Sequence, residues 1–89
     1  MAWIVKLDTH AIRQLRKLSK IMQRRITSFL QKHIQHSVNP RNSGKPLVGH
    51  MSGLWRYRIG DYRIVCKIKD NELTVLVINI GHRKNVYKH

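Results

Sequence analysis

Carboxylates are nearly absent from this chain. Asp8, Asp61, Asp70 and Glu72 stand against 18 lysines and arginines, leaving a formal net charge of +14 over 89 residues. The four acids are scattered, and three of them fall at predicted turns or at a predicted helix cap. Paired-carboxylate catalysis and an acidic metal site are therefore poor readings, and no metal or cofactor is expected. Cysteine is almost as scarce. Cys66 stands alone, so no internal disulfide can form and a reducing cytoplasm fits. No apolar run approaches the roughly 18 residues of a membrane-spanning helix. The opening Met-Ala-Trp-Ile-Val-Lys-Leu-Asp is too short and too soon charged for a signal peptide. No zinc-ligand or P-loop spacing occurs.

What is present is enough apolar material to fold. Hydrophobic residues make up 42% of the chain, near the share of ordinary folded proteins, so this is not a disordered basic tail. The length allows one domain, expected over 1–89, with one modest core. So large a charge cannot be neutralised internally, and its self-repulsion disfavours the compact state. A polyanionic partner relieves it. Nucleic acid is the first candidate, an acidic protein the second, and an anionic membrane a weak third.

Apolar periodicity places the elements. Trp3, Val5 and Leu7 alternate with Ile4 and Lys6, the pattern of a short strand. Asp8 or Thr9 can cap a first helix, whose apolar stripe is Ala11, Ile12, Leu15 and Leu18. Ser19 can cap a second, with Met22, Ile26, Phe29, Leu30 and Ile34 as its stripe and Arg24, Arg25 and Lys32 elsewhere. The two form a short helical hairpin. Residues 37–52 turn to Asn, Pro, Gly and Ser and read as a loop, with Pro46-Leu47-Val48 as a brief apolar anchor. Strands are expected over 54–59 and 62–69, joined by the two-residue turn Gly60-Asp61. Asp70-Asn71 makes the next turn. A third, nearly all-apolar strand runs over 73–80, covered on both faces and ended by Gly81. The fold class is α+β: an N-terminal strand and a two-helix hairpin packed on a mainly antiparallel sheet, in the order β-α-α-β-β-β.

The Gly60-Asp61 turn fixes the hairpin register. Ile59 faces Tyr62, Arg58 faces Arg63, Tyr57 faces Ile64 and Arg56 faces Val65. Alternation then sorts the side chains. Trp55, Tyr57, Ile59, Tyr62, Ile64 and Cys66 take the core face. Arg56, Arg58, Arg63, Lys67 and Lys69 take the other. A half-solvated sheet must carry something polar outside, but that does not explain the sign. Arg58 opposite Arg63 is a like-charge cross-strand pair, which destabilises an isolated sheet. The nearby Glu72 is expected to be taken by Lys69. Guanidinium groups suit phosphate, whose oxygens their planar fork matches two at a time. Such a face grips RNA, with Lys45, Lys67 and Lys84 as further RNA-binding candidates. Arginines also stabilise charge on a pentacoordinate phosphorus, and RNA brings its own nucleophile, the 2′-OH. In the basic tail Tyr87 either stacks on a base or plugs the end of the sheet. His82 follows Gly81 beside Arg83 and is the histidine best placed for proton transfer.

Taken together, Gly53-Leu54-Trp55-Arg56-Tyr57-Arg58-Ile59-Gly60-Asp61-Tyr62-Arg63-Ile64-Val65 resembles the core signature of the RelE-type toxins of bacterial toxin–antitoxin pairs. Gly44-Lys45-Pro46-Leu47 is similar to the family's approach to that hairpin, and Gly81-His82-Arg83-Lys84-Asn85-Val86-Tyr87 to its C-terminal motif. The resemblance spans essentially the whole chain. It implies a RelE-like fold and a metal-independent mRNA endonuclease that cuts A-site codons on translating ribosomes and is inhibited by a cognate antitoxin. The 2′-OH attack would leave a 2′,3′-cyclic phosphate and a 5′-OH. Arg56 and Arg63 match positions that contact the scissile phosphate, Arg83 the position serving the leaving 5′-oxygen, and Tyr87 the tyrosine that positions substrate. Arg58 stands where one member has a lysine proposed as general base. An arginine stays protonated, so either Arg58 is purely electrostatic or another group, with His82 the candidate, takes the proton. The partners implied are mRNA, the ribosome and the antitoxin, with no membrane. The toxin alone is expected to be a monomer, and a hetero-oligomer with its antitoxin. Val65, Leu76 and Ile78 form an apolar patch on the arginine face, to be covered by an antitoxin helix or by the protein's own tail. Two other readings share parts of this pattern. One is a gyrase-inhibiting toxin of the related ParE type, and the other a non-catalytic basic RNA-binding module.

Overall fold

A computed structural model describes residues 2–82. Strand β1 (Ile4–Leu7) leads into helices α1 (Thr9–Arg16) and α2 (Lys20–Leu30). Asp8 is the first cap, its Oδ1 accepting from the Ala11 amide at 2.8 Å, and Ser19 Oγ caps α2 by accepting from the Met22 amide at 3.1 Å. The remaining strands are β2 (Lys45–Pro46), β3 (Trp55–Ile59), β4 (Tyr62–Lys69) and β5 (Thr74–His82). They form a five-stranded sheet in the order β1-β5-β4-β3-β2, parallel between β1 and β5 and antiparallel elsewhere.

The core lies between the helices and one face of this sheet. Ala11 of α1, Ile26 and Leu30 of α2, and Ile34 beyond it meet Tyr57, Ile59, Ile64, Cys66, Val75, Val77 and Ile80. The apolar stripe of α2 is thus the buried one. The expected hairpin register holds: Arg58 pairs with Arg63 and Arg56 with Val65. Gly60 has φ +59°, while Asp61 lies outside the left-handed region, the pattern of a type II′ turn.

Several expectations are corrected. The loop contains a strand, because Lys45 and Pro46 pair with Arg56 and Trp55. The described residues therefore hold one strand more than periodicity predicts. A two-residue strand is too short to show alternation, and Val48, expected to anchor the loop, is 81% exposed. Three aromatics anchor it instead. Trp3 Nε1 donates to the Val38 carbonyl at 3.3 Å, Tyr57 Oη to Pro40 at 2.8 Å and Trp55 Nε1 to Ser43 at 2.7 Å. Leu73 is not in the last strand. It closes a 3₁₀ turn over Asp70–Glu72 in the left-handed conformation at φ 48°. Gly81 does not end that strand either, since β4 extends far enough to pair Arg63 with Gly81 and Tyr62 with His82. Glu72 is not paired with Lys69. The ion pair found among the described residues is Arg41 with Asp70, at 2.8 Å. Arg41 reaches both carboxylate oxygens from the loop, with a second hydrogen bond at 3.0 Å. Tyr62 is half-buried rather than a member of the core.

One irregularity shapes the sheet centre. Val65 pairs with Asn79 but Cys66 pairs with Val77, so Ile78 is an extra residue in β5, a β-bulge. This lets Val75, Val77 and Ile80 all face the helices despite their unequal spacing. β1 ends at Leu7, paired with Val77, so the stretch after Val77 has no β1 neighbour. Gln14 of α1 fills that gap: its Oε1 accepts from the Ile80 amide and its Nε2 donates to Asn79 Oδ1, both at 2.6 Å.

Candidate nucleic-acid interface

The sheet face turned away from the helices carries the cations. Strand pairing sets Lys45 opposite Arg56 and, one row further, Arg58 opposite Arg63, with Gly81 next to Arg63. Adjacent strands lie about 4.8 Å apart and same-face residues on one strand about 7 Å. Four cationic side chains thus rise from a backbone patch of roughly that size, two rows deep. Arg58 and Lys45 are exposed, and Arg56 and Arg63 are half-buried. Among the described residues no carboxylate pairs with any of the four. Arg63 Nη1 donates to the Tyr62 carbonyl at 3.3 Å. The like-charge rows cost the sheet several tenths of a kcal/mol each, an arrangement that suits an anionic ligand better than it suits the fold.

Gly44 makes the Lys45–Arg56 pairing possible. It has φ +79°, and a Cβ there would stand 2.2 Å from the Arg56 carbonyl oxygen. Only glycine allows so close an approach. Beside it opens a cleft of about 260 Å³ lined by Phe29, Ser43, Gly44, Lys45, Arg56 and Arg58. Periodicity places Phe29 in the core stripe, and it does meet Tyr57 edge-on at 5.6 Å. Its other side walls the arginine cleft. The sequence signal for this is its place at the edge of the stripe, four residues before His33, against which its ring lies at 4.7 Å.

Not every candidate joins this group. Lys67 shares the face and is exposed, but it stands four positions along β4 from Arg63, roughly 13 Å away. His82 pairs with Tyr62, on the row whose side chains point to the helix side of the sheet, and the two rings meet edge-on at 5.9 Å. It is thus on the opposite face from Arg58 and Arg63. Arg83, Lys84 and Tyr87 lie outside the described residues. Of the apolar patch expected on this face, Val65 is fully buried and Leu76 and Ile78 are half-buried.

The interior beneath this surface is inert at neutral pH. Burial pushes the Cys66 thiol and the Tyr57 phenol well above their ordinary values. The Cys66 thiolate is therefore not available as a nucleophile. Asp70 is held below the usual carboxylate range by its bonds from Arg41. Among the described residues, no three His, Cys, Asp or Glu side chains gather closely enough to hold a metal ion, and no helix is long and apolar enough to cross a membrane.

Comparison with known proteins agrees with this fold. A family model described as the ParE toxin of the type II toxin–antitoxin system parDE matches residues 5–87. Toxin RelG of Mycobacterium tuberculosis is 31% identical over 88 residues, covering 99% of each chain. Toxin RelE of the same organism is 42% identical over 50 residues, 56% of this chain and 52% of that protein. The crystal structure of the RelBE2 toxin–antitoxin complex of M. tuberculosis contains a chain that superposes with a TM-score of 0.84 at 28% identity, covering 96% of this chain and 95% of that one. The chain belongs to the RelE/ParE superfamily of toxins from type II toxin–antitoxin systems.

Proposed function

We propose that this toxin is a metal-independent endoribonuclease that cleaves mRNA in the ribosomal A site and is silenced by an antitoxin. The observation that carries the reading is the Lys45–Arg56 and Arg58–Arg63 pairing, four cations on one sheet face without a carboxylate among the described residues to neutralise them. In the proposed reaction the 2′-oxygen attacks the adjacent phosphorus, the P–O5′ bond breaks, and a 2′,3′-cyclic phosphate and a 5′-OH result. Arg56 and Arg63 hold the scissile phosphate, and Arg58 adds positive potential where the phosphorane gains charge. Arg83 at the leaving oxygen and Tyr87 against a base enter from the family resemblance, while Lys67 on the same sheet face and Lys84 in the basic tail sequence are candidate contacts to more distant phosphates. The antitoxin of the RelBE2 complex suggests a protein partner for this chain too, acidic where it crosses the arginine face.

Proton removal from the 2′-OH is the step the arginines do not serve. His82 is the titratable candidate, although it stands beside Tyr62 on the helix side. If His82→Ala slows single-turnover cleavage on programmed ribosomes, His82 takes the proton. Cleavage at the wild-type rate removes it from the mechanism.

The ParE description of the matching family model favours a second reading, inhibition of DNA gyrase. Induction of the toxin followed by primer extension on a cellular mRNA separates the two. Codon-spaced cuts that vanish with Arg63→Ala are the expected result. Growth arrest with intact mRNA and DNA-damage signalling is the gyrase result.

A further inference from the structure

A second cationic surface lies on α2 and the turn that continues it, and the chemistry assigned to the sheet face leaves it unused. Arg24 and Ser28 of α2 are followed at four-residue spacing by Lys32, and Arg25 and Phe29 by His33; Lys32 and His33 lie in the π-helical turn (Gln31–Gln35) that continues α2. Within α2 this spacing places neighbouring side chains about 6 Å apart along the axis. With Ile59 these six residues line a cleft of about 440 Å³. A second cleft, of about 310 Å³, shares Arg24 and Ser28 and continues the surface to Lys20, Gln23 and Thr27. Lys20 and Arg24 are themselves a like-charge pair at four-residue spacing, which disfavours the helix. No acidic residue occurs between Asp8 and Asp61. Among the described residues none of Lys20, Arg24, Arg25 and Lys32 is in an ion pair, and all four are exposed.

Two features join this surface to the arginine face. Phe29 walls both the α2 cleft and the cleft of Lys45, Arg56 and Arg58. The Arg25 guanidinium nitrogens lie 3.6 Å from where a Cβ would stand on Gly60, so Arg25 reaches the hairpin tip between Arg58 and Arg63. The two cationic surfaces are therefore continuous around the edge of the sheet.

We propose that the α2 surface is a second, non-catalytic binding surface for the phosphodiester backbone of RNA, continuing the path of a strand held on the arginine face. The proposal rests on the RNA-cleaving reading above. Five of the seven residues that line the first cleft are cationic or polar, Phe29 and Ile59 being the exceptions, and its cations have no acidic partner among the described residues, which suits them to phosphate. Phe29 and His33 offer a ring pair beside the cations, the combination by which single strands are held without sequence preference.

The test measures binding of a short single-stranded RNA bearing 2′-O-methyl groups, which blocks cleavage, to the full chain by fluorescence anisotropy over a salt series. One variant combines Lys20→Gln, Arg24→Gln, Arg25→Gln and Lys32→Gln. A control removes equal charge from exposed positions on β1, α1 and just beyond α1, through Lys6→Gln, Arg13→Gln, Arg16→Gln and Lys17→Gln. The α2 variant is expected to bind at least ~10-fold more weakly at low salt, with its log–log salt slope reduced by about 0.7 for each phosphate it no longer neutralises. The control is expected to stay near wild type. Equal weakening in both variants, or wild-type binding by the α2 variant, overturns the proposal. So does a loss confined to antitoxin binding, which would make the surface a protein interface. If the wild type and both variants follow the expected binding pattern while mRNA is never cut, the nuclease reading fails and the α2 binding surface stands.

Discussion

At the scale of single residues, the site depends on groups whose role comes from packing rather than from charge. Tyr57 is fully buried, and its hydroxyl donates to the Pro40 carbonyl at 2.8 Å, tying the loop that carries Lys45 to the strand that carries Arg56 and Arg58. Tyr57→Phe removes that donor and leaves a buried carbonyl without it. A loss of about 1–2 kcal/mol in unfolding free energy is expected, measured by denaturant titration, and an unchanged midpoint would show that the bond does not hold the loop. Tyr57 was legible as a core residue from alternation alone. Its hydroxyl partner was not, because Pro40 lies 17 positions away in a segment without periodicity. Gly44 illustrates the same limit. Its presence is plain in the sequence, but its reason, a close approach to the Arg56 carbonyl, exists only once β2 pairs with β3.

At the scale of elements, the hairpin register was readable because a two-residue turn leaves one pairing for each face. That single inference placed Arg56, Arg58 and Arg63 together. The bulge at Ile78 was not readable. A run of apolar, β-branched residues has no polar marker to reveal that the alternation slips by one. The slip is stabilised from a distance by Gln14, which bonds both the Ile80 amide and the Asn79 side chain. Gln14→Leu keeps the volume and leaves the Ile80 N–H without its acceptor, so a cost of about 1–3 kcal/mol is expected. Amide hydrogen exchange checks this, with faster exchange at Ile80 expected and unchanged protection there contradicting it. The extension of β5 through Gly81 was hidden for a related reason. Glycine ordinarily weakens a strand, but here β4 supplies a partner as far as Tyr62. The consequence is functional: it fixes His82 on the helix side, where chain order alone sets it beside the arginines.

At the scale of the whole molecule, charge is the dominant fact, and it was legible from composition. A net charge of +14 repels itself over distances set by ionic strength. The screening length falls from about 30 Å at 0.01 M salt to about 8 Å at 0.15 M. The melting temperature is therefore expected to rise over that range. A fall, checked by circular dichroism at matched pH, would mean that attractive pairs such as Arg41–Asp70 outweigh the repulsion. Composition could not show how the charge is distributed, which depends on the sheet pairing and on the helix packing that brings Phe29 and Arg25 to the sheet edge. The central claim is that this charge is arranged to cut RNA. Its most direct test is single-turnover cleavage of mRNA on programmed ribosomes by the purified toxin, with the new ends mapped and their chemistry determined. Cuts within the A-site codon that leave a 2′,3′-cyclic phosphate, and that slow by at least ~100-fold in Arg63→Ala, are the predicted result. Intact mRNA under the same conditions, with gyrase inhibited instead, would contradict it.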